Sequence, residues 1–457
     1  MSLHNLFKHQ QFFETGHTQS VSYRKKQLKV LKGAIKKQES ALEKAMNLDL
    51  GKNHTEGYAA EIGLVYEEIG YSISRLNEWT EPKRASSNIG LFPTTNKVIP
   101  TPKGVALIIA PWNYPIQLVL APLVAAISAG CVCIIKPSED APNCEKVIKG
   151  LIEETFPPEY ISCSTGIGAD VVPPIIESGL INHVFFTGST AVGKIIAKQC
   201  AEQLITSTLE LGGKSPAIVD ETANIKIAGR RIAWGKFYNA GQTCIAPDYV
   251  LVHKDKKSEL VQSIISAIED FYGQNQEESN SYGRIINTRR IRALKSYLKK
   301  GNIVYGGKVD EESRYFAPTL IDNIDLQSSI MKDEIFGPIL PIISYSKESE
   351  IFNIVNRNRN PLALYLFTSR KSFEREIIIK IPFGGGTINA TLVHLVNTKT
   401  TFGGIGASGW GSYHGKAGFD AFTHYKTIAK MGSMVDVKLK YPPYNSLKDK
   451  LIRLFLK

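Results

Sequence analysis

Cysteine is scarce in this chain of 457 residues, and none of its six copies stands in a C-x-x-C pair. Cys131, Cys133, Cys144, Cys163, Cys200 and Cys244 therefore offer neither a zinc knuckle nor a disulfide framework. No metal site is expected, and a reduced, cytoplasmic setting fits best. The opening "MSLHNLFKHQQFFETG" lacks an apolar signal core with a cleavage site behind it. Internal repeats, low-complexity tracts and long blocks of like charge are also lacking, which argues against a disordered chain. The net charge of +12 is spread thinly. Its densest groups, Arg24-Lys25-Lys26 and Lys36-Lys37, fall in a segment of helical periodicity with no RNA-binding signature beside them, so no nucleic-acid partner is expected.

Long charge-free runs are rare too. Gly104 to Ile135 contains no Asp, Glu, Lys or Arg and is long enough to span a bilayer. Pro111, Asn113, Pro115, Gln117, Pro122 and Gly130 break it up, and it reads as a buried strand, a loop, a short helix and a second buried strand. Cys131 and Cys133 would share one face of that second strand as core.

What is present suits a soluble globular enzyme: 43% apolar and 21% charged residues, in a chain long enough for two or three domains. Amphipathic helices are predicted over about 22–45 and 58–79, followed by a Pro-, Ser- and Thr-rich arm, "TEPKRASSNIGLFPTTNKVIPTPKG". Strands and helices then alternate. "GVALIIA", "VCIIKPS" and "HVFFTGS" read as buried strands, and 143–154 and "AVGKIIAKQCAEQ" as helices. The pattern restarts near Leu209 with "SPAIVDE", a helix from about Ile225 to Asn239, "YVLVHK" and "KSELVQSIISAIEDFYG". The expected fold is α/β. Residues 1–80 and 102–208 form one parallel-sheet unit, 209–400 a second α/β unit, and 81–101 with 401–457 an arm and tail.

Glycine patterns compete for a phosphate. Gly404-Ile-Gly406-Ala-Ser-Gly409 spells G-x-G-x-x-G, yet polar "VNTKTT" precedes it where a buried strand is required, so it reads as a structural loop. Gly188 to Lys194 nearly spells a P-loop, but Ile195 stands where the Mg²⁺-binding hydroxyl must be. A strand, a Gly-rich turn and a helix N-terminus there still suit a pyrophosphate. In "GGKS" the first P-loop glycine is replaced by Thr208.

Two residues carry candidate chemistry. Glu210, in "LELGGKSP", is either a buried movable base of raised pKa or a capping or salt-bridged acid. Cys244, in "NAGQTCIAP", has no acid, base or histidine nearby, and is either inert core or a nucleophile activated from a distance.

Taken together, "APWNYP", "KPSE", "FTGSTAVGK", "TLELGGKSP", "RRIAWGKFYNAGQTCIAPDYVL", "DEIFGPILPI", "NPLALYLF" and "GSYHGK" resemble, in order and over nearly the whole chain, the class 3 branch of the aldehyde dehydrogenase superfamily. The resemblance implies a Rossmann-like cofactor domain, a catalytic domain and a small β-rich arm that bridges or oligomerises. It implies that Cys244 attacks the aldehyde to give a thiohemiacetal, with Asn113 and the Cys244 N–H holding the oxyanion. After hydride transfer, Glu210 would activate the water that hydrolyses the thioester. Lys136 and Glu139 would contact the adenosine ribose, with Gly188, Ser189 and Gly193 at the pyrophosphate turn. Glu334 would bind the nicotinamide ribose, with Phe336 beside it, and Trp112 and Leu211 complete the cofactor site. A carboxylate at Glu139 implies NAD⁺ first, with NADP⁺ also accepted through Lys136.

Departures from the family pattern at Cys131, Thr401, Asn389-Ala390-Thr391 and Trp410 bear on substrate preference. The implied substrate is a medium- or long-chain aliphatic, aromatic or polyene aldehyde, and the implied assembly a homodimer. A CoA-acylating relative is the near alternative, against which Glu210 argues, and a cysteine-dependent thioester hydrolase the more distant one. The tail places Leu447, Leu451, Leu454 and Phe455 among basic residues, a candidate for peripheral membrane contact.

Overall fold

A computed structural model describes residues 3–87 and 93–455. Among these residues the strands fall into two large sheets and two small ones. The first large sheet runs Gly409–Trp410, Thr206–Glu210, His183–Thr187, Val105–Ile109, Val132–Lys136 and Ile161–Cys163, parallel except for its short first strand. Its central strands "VALII", "VCIIK" and "HVFFT" are buried at every position, because helices cover both faces. The charge-free run ends here as core: all thirteen residues of the helix Gln117–Ala129 are buried against this sheet. Among the described residues no helix is long and apolar enough to cross a membrane. Cys131 and Cys133 are buried as expected, and Cys131 Sγ donates to Phe422 O at 3.4 Å.

The second sheet runs Asn302–Tyr305, Thr319–Asp322, Ile339–Tyr345, Tyr249–His253, Pro216–Val219, Ala363–Phe367 and Gly385–Ile388, with only the first pair antiparallel. A three-stranded antiparallel sheet joins Lys83–Ala85, Thr94–Pro102 and Thr423–Met431. Part of the expected arm, residues 88–92, lies outside the described residues.

Several expected boundaries move. The first long helix spans Val21–Leu50: Ser20 caps its start by accepting from Tyr23 N, and Gly51, at φ 64°, ends it in the left-handed conformation. Helix Ile225–Phe237 stops two residues short of Asn239, because Tyr238, at ψ 135°, already leaves the helical region and Asn239 follows at positive φ. The strand Thr206–Glu210 runs past the 208/209 division, which therefore falls inside a strand of the first sheet. Nor is 401–422 an arm. Gly409–Trp410 pairs with Glu210 and Leu209, and the helix Gly415–Ala421 packs on Gln117–Ala129. The glycines there have a packing reason, since a Cβ on Gly409 would lie 1.9 Å from Leu209 O.

A buried carboxylate ties the long helix Val21–Leu50 to the first sheet's layer. Asp49 accepts from Asn143 Nδ2 at 2.7 Å and from the N–H groups of Asn143 at 3.3 Å and Cys144 at 2.9 Å. These amides open the helix Pro142–Thr155, so Asp49 caps that helix from another segment. Asp49→Ala is expected to cost about 1–3 kcal/mol, read as a lower urea midpoint, because three donors lose their acceptor. An unchanged midpoint would contradict that role.

Candidate active site

Cys244 owes its position to a left-handed turn. Asn239, Ala240 and Gly241 have φ of 51°, 50° and 74°. At Gly241 a Cβ would lie 2.4 Å from Gly337 O, so only glycine lets the 334–337 segment come this close to the cysteine loop. Gln242 then pins the loop: Nε2 donates to Asn239 O at 3.1 Å and Arg284 O at 3.0 Å, while Oε1 accepts from Ile286 N at 3.0 Å.

The thiol sits where two cavities meet. The larger, of about 520 Å³, is walled by Trp112, Gly188, Ser189, Leu211, Glu334 and Phe336, all foreseen in the sequence. Asn287, Arg289 and Arg290, from the segment "NTRRIRALK", also line it and were not foreseen. Only the cationic run itself marks them in the sequence. The smaller cavity, of about 90 Å³, is apolar, with Tyr114, Trp234, Tyr238, Leu395, Phe402 and Tyr413 among its walls. Cys244, Glu210, Thr187, Leu118 and Leu211 belong to both.

Other foreseen residues lie elsewhere. Lys136 and Glu139 do not line the larger cavity. They pair at 2.8 Å just beyond the carboxyl end of Val132–Lys136, and Glu139 also accepts from Gly168 N at 2.7 Å. Gly193 packs beneath the cavity, where a Cβ would lie 2.5 Å from Leu211 Cδ2. Ser189 caps the helix Thr190–Glu202 by accepting from Val192 N. The departures near 389–391 and at Trp410 do not shape the smaller cavity. Asn389 exchanges hydrogen bonds with the Thr368 backbone, Thr391 donates to Arg231 O, and Trp410 Nε1 donates to Ser207 O. The walls are set a little further on, by Leu392, Leu395 and Val396.

Glu210 is neither cap nor salt-bridge partner. It ends the strand Thr206–Glu210 with both carboxylate oxygens buried and unpartnered, and burial pushes its pKa well above the usual carboxylate range. Burial, then the nearby Glu334 and Glu210 carboxylates, pushes the Cys244 thiol up as well; the N–H groups of Cys244 and Ile245 offset only part of this. Glu334 itself is raised to about 8, by burial and then Asp248, against the pull of Arg290, Lys214 and the Gly213 N–H. Trp112 and Phe336 meet edge to face at 5.3 Å in the wall of the larger cavity.

Asn113 is buried and lies beside the thiol loop, where its Nδ2 donates to Gln242 O at 3.0 Å. An ion pair not foreseen in the sequence holds its turn. Lys52 Nζ, fully buried, bonds Glu61 and donates to Asn113 O at 2.8 Å, while Glu61 accepts from Ile116 N at 2.8 Å. A lone lysine in a loop and a lone acid within a helical segment carry no signal of burial in a single sequence.

The carboxyl ends of the first sheet's strands and the amino ends of the second sheet's strands converge on a thiol, a desolvated carboxyl and a dinucleotide-sized cleft, the arrangement of an oxidoreductase with a covalent intermediate. The aldehyde dehydrogenase family profile matches residues 8–428, and the chain belongs to that family. It is 48% identical over 448 residues to the 4,4'-diaponeurosporen-aldehyde dehydrogenase of Staphylococcus aureus, covering 98% of this chain and 97% of that one. It is 38% identical to aldehyde dehydrogenase family 3 member A2 of Mus musculus, covering 98% and 92%. The solved structure of the substrate-bound state of Staphylococcus aureus AldH superposes with a TM-score of 0.97 at 46% identity, over 99% of each chain. The protein is an aldehyde dehydrogenase that oxidises aldehydes to acids.

The electrostatics make a direct prediction about the resting thiol. Alkylation of Cys244 by iodoacetamide should be slower at pH 7 than for free cysteine and should still be rising above pH ~8.5. Glu334→Gln should move the rise to lower pH, because a carboxylate opposing the thiolate is gone. A rate that is flat from pH 7 to 9 would contradict the assignment.

Proposed function

We propose that this enzyme takes a long apolar aldehyde, of the polyene or aliphatic class, and oxidises it with NAD⁺ through a thioester on Cys244. The carrying observation is the meeting of Cys244 and the unpartnered Glu210 at the crossing of a cofactor-sized cleft and an apolar tunnel. The residues present fit a dinucleotide. Gly212 lines the cleft with bare backbone beside the Glu334 carboxylate, and Gly188 and Ser189 open the helix Thr190–Glu202 toward the same cleft. Trp112, Leu211, Glu334 and Phe336 would hold the nicotinamide end, and Lys136 with Glu139 the adenosine ribose. When bound, the nicotinamide supplies the acceptor for the aldehyde's hydride.

The side chains do the rest. Cys244 Sγ bonds the aldehyde carbon, its proton leaves, and the carbonyl oxygen becomes an oxyanion. The second N–H of the Asn113 amide and the Cys244 backbone N–H hold that oxygen where charge develops. Loss of the hydride leaves the acyl group on sulfur. Glu210, ionised above its raised pKa, then takes a proton from the water that attacks this carbon, and the C–S bond breaks to release the acid. Glu139 bears on the cofactor. Burial opposes its ionisation, but the Gly168 N–H and Lys136 outweigh it and lower its pKa. A carboxylate held ionised accepts from a ribose 2′-OH and repels a 2′-phosphate, and Lys136 tempers that repulsion, so NAD⁺ is favoured and NADP⁺ accepted.

The substrate class follows from the tunnel. Its enclosed part holds only the reacting end of a long aldehyde, and the exposed Trp234 and Val396 at its mouth extend the apolar path outward. The 4,4'-diaponeurosporen-aldehyde dehydrogenase to which the chain is similar supports a polyene substrate. We propose as domain roles that the first sheet's unit carries the cofactor and the second the nucleophile. Glu210→Gln is expected to keep the first-turnover burst of NADH with a long-chain aldehyde while steady-state turnover falls by about 10²-fold or more, with acyl-enzyme visible by mass. Cys244→Ala should abolish both. Full steady-state turnover in Glu210→Gln, or acid formation requiring CoA, would sink the mechanism.

A cytoplasmic protein with peripheral membrane contact is the second part of the proposal. The helix Ser446–Phe455 exposes Leu447 and Leu454 beside Lys448, Lys450 and Arg453, as an interfacial helix on an anionic surface does. The exposed strand Thr423–Met431 suits pairing with a second copy in a homodimer. The full chain should co-sediment with phosphatidylglycerol vesicles and a chain ending at Met431 should not. Equal binding by both would remove the tail from membrane contact.

A further inference from the structure

One amide next to the nucleophile has no part in the chemistry so far. Asn239 is wholly buried, and its Nδ2 donates to Asn113 O at 2.9 Å and to Gln242 O at 3.2 Å. Its backbone N–H donates to Glu56 Oε1 at 2.9 Å, which fixes the start of the left-handed turn. Asn113 O also receives Lys52 Nζ, so both acceptor positions of that carbonyl are used. Gln242 O in turn accepts from Asn113 Nδ2 at 3.0 Å. A flipped Asn113 amide would set its Oδ1 against Gln242 O, two acceptors with no proton between them, so this carbonyl fixes which way the amide faces. One N–H of Asn113 is thereby spent on Gln242 O and the other is left for the cavity that Asn113 lines.

We infer that Asn239 is the positioning residue of the oxyanion site: its amide ties the Asn113 and Gln242 carbonyls together and so aims the Asn113 amide at the aldehyde oxygen. This rests on the reading of Asn113 as oxyanion donor. At φ 51° glycine and aspartate both tolerate the backbone. Asn239→Gly therefore removes the amide and keeps the turn, and Asn239→Asp keeps the shape and replaces a donor by an acceptor.

The test uses the full-length enzyme without cofactor and two reagents for Cys244. With p-nitrophenyl acetate, sulfur bonds the carbonyl carbon, an oxyanion forms, the thiol proton goes to solvent, and p-nitrophenolate leaves. With iodoacetamide, sulfur bonds the methylene carbon, iodide leaves, and no oxyanion arises. Asn239→Gly should slow acylation by p-nitrophenyl acetate about tenfold, short of the full loss of an oxyanion donor, and leave alkylation within about twofold. Asn113→Ala should slow acylation at least as much, and adding Asn239→Gly to it should change nothing further. Equal slowing with both reagents, or effects that multiply in the double variant, would overturn the inference. If Asn113→Ala leaves acylation unchanged, the oxyanion reading itself falls and the inference with it. Asn239→Asp carries the same comparison should Asn239→Gly not fold by circular dichroism.

Discussion

Burying a carboxyl group with no partner is costly when it is ionised, and this constraint organises the centre of the molecule. Glu210 has both oxygens enclosed and unbonded, beside a thiol that is itself desolvated. Each pKa unit of displacement corresponds to about 1.4 kcal/mol of preference for the neutral form. Burial therefore favours the protonated form of both groups. The same dryness favours transfer of a hydride and protects an acyl group from stray water.

Two sheets deliver these groups to one point. Glu210 is the last residue of a strand in the first, and Cys244 lies in the loop leading into Tyr249–His253 in the second. Between them, Gly213 passes so close to the backbone of Pro361 and Leu362 that no side chain fits there, and Gly212 lies against the Glu334 carboxylate. The crossing is closed from behind by residues expected in an arm: Phe402 and Tyr413 wall the tunnel, and Ser408 O accepts from Leu211 N at 3.1 Å. Backbone groups and aromatic walls thus shape a site in which the Glu210 carboxylate has no hydrogen-bond partner.

Much of this was legible in the sequence. Continuous apolar runs marked the doubly covered strands, and the motif order marked Cys244, Glu210, Asn113 and the cleft walls Trp112, Ser189, Leu211, Glu334 and Phe336. Three kinds of feature were not. Strand and helix ends depend on φ, as at Asn239, and single-sequence periodicity does not report φ. The role of 401–422 depends on a long-range pairing of Gly409 with Glu210. Support from Lys52, Glu61 and Asn239 depends on burial of polar groups that sequence alone would place at a surface. Residues such as Asn389 and Trp410 drew notice by being unusual, yet they bond neighbouring loops and leave the pocket to others.

The protonation of Glu210 at rest is the point on which the account turns, and infrared difference spectroscopy reads it directly. At pH 7, subtracting the spectrum of Glu210→Gln from that of the intact enzyme should reveal a protonated carboxyl stretch, shifted on deuteration, with no matching carboxylate loss. A difference spectrum showing only ionised carboxylate would contradict the desolvated centre described above.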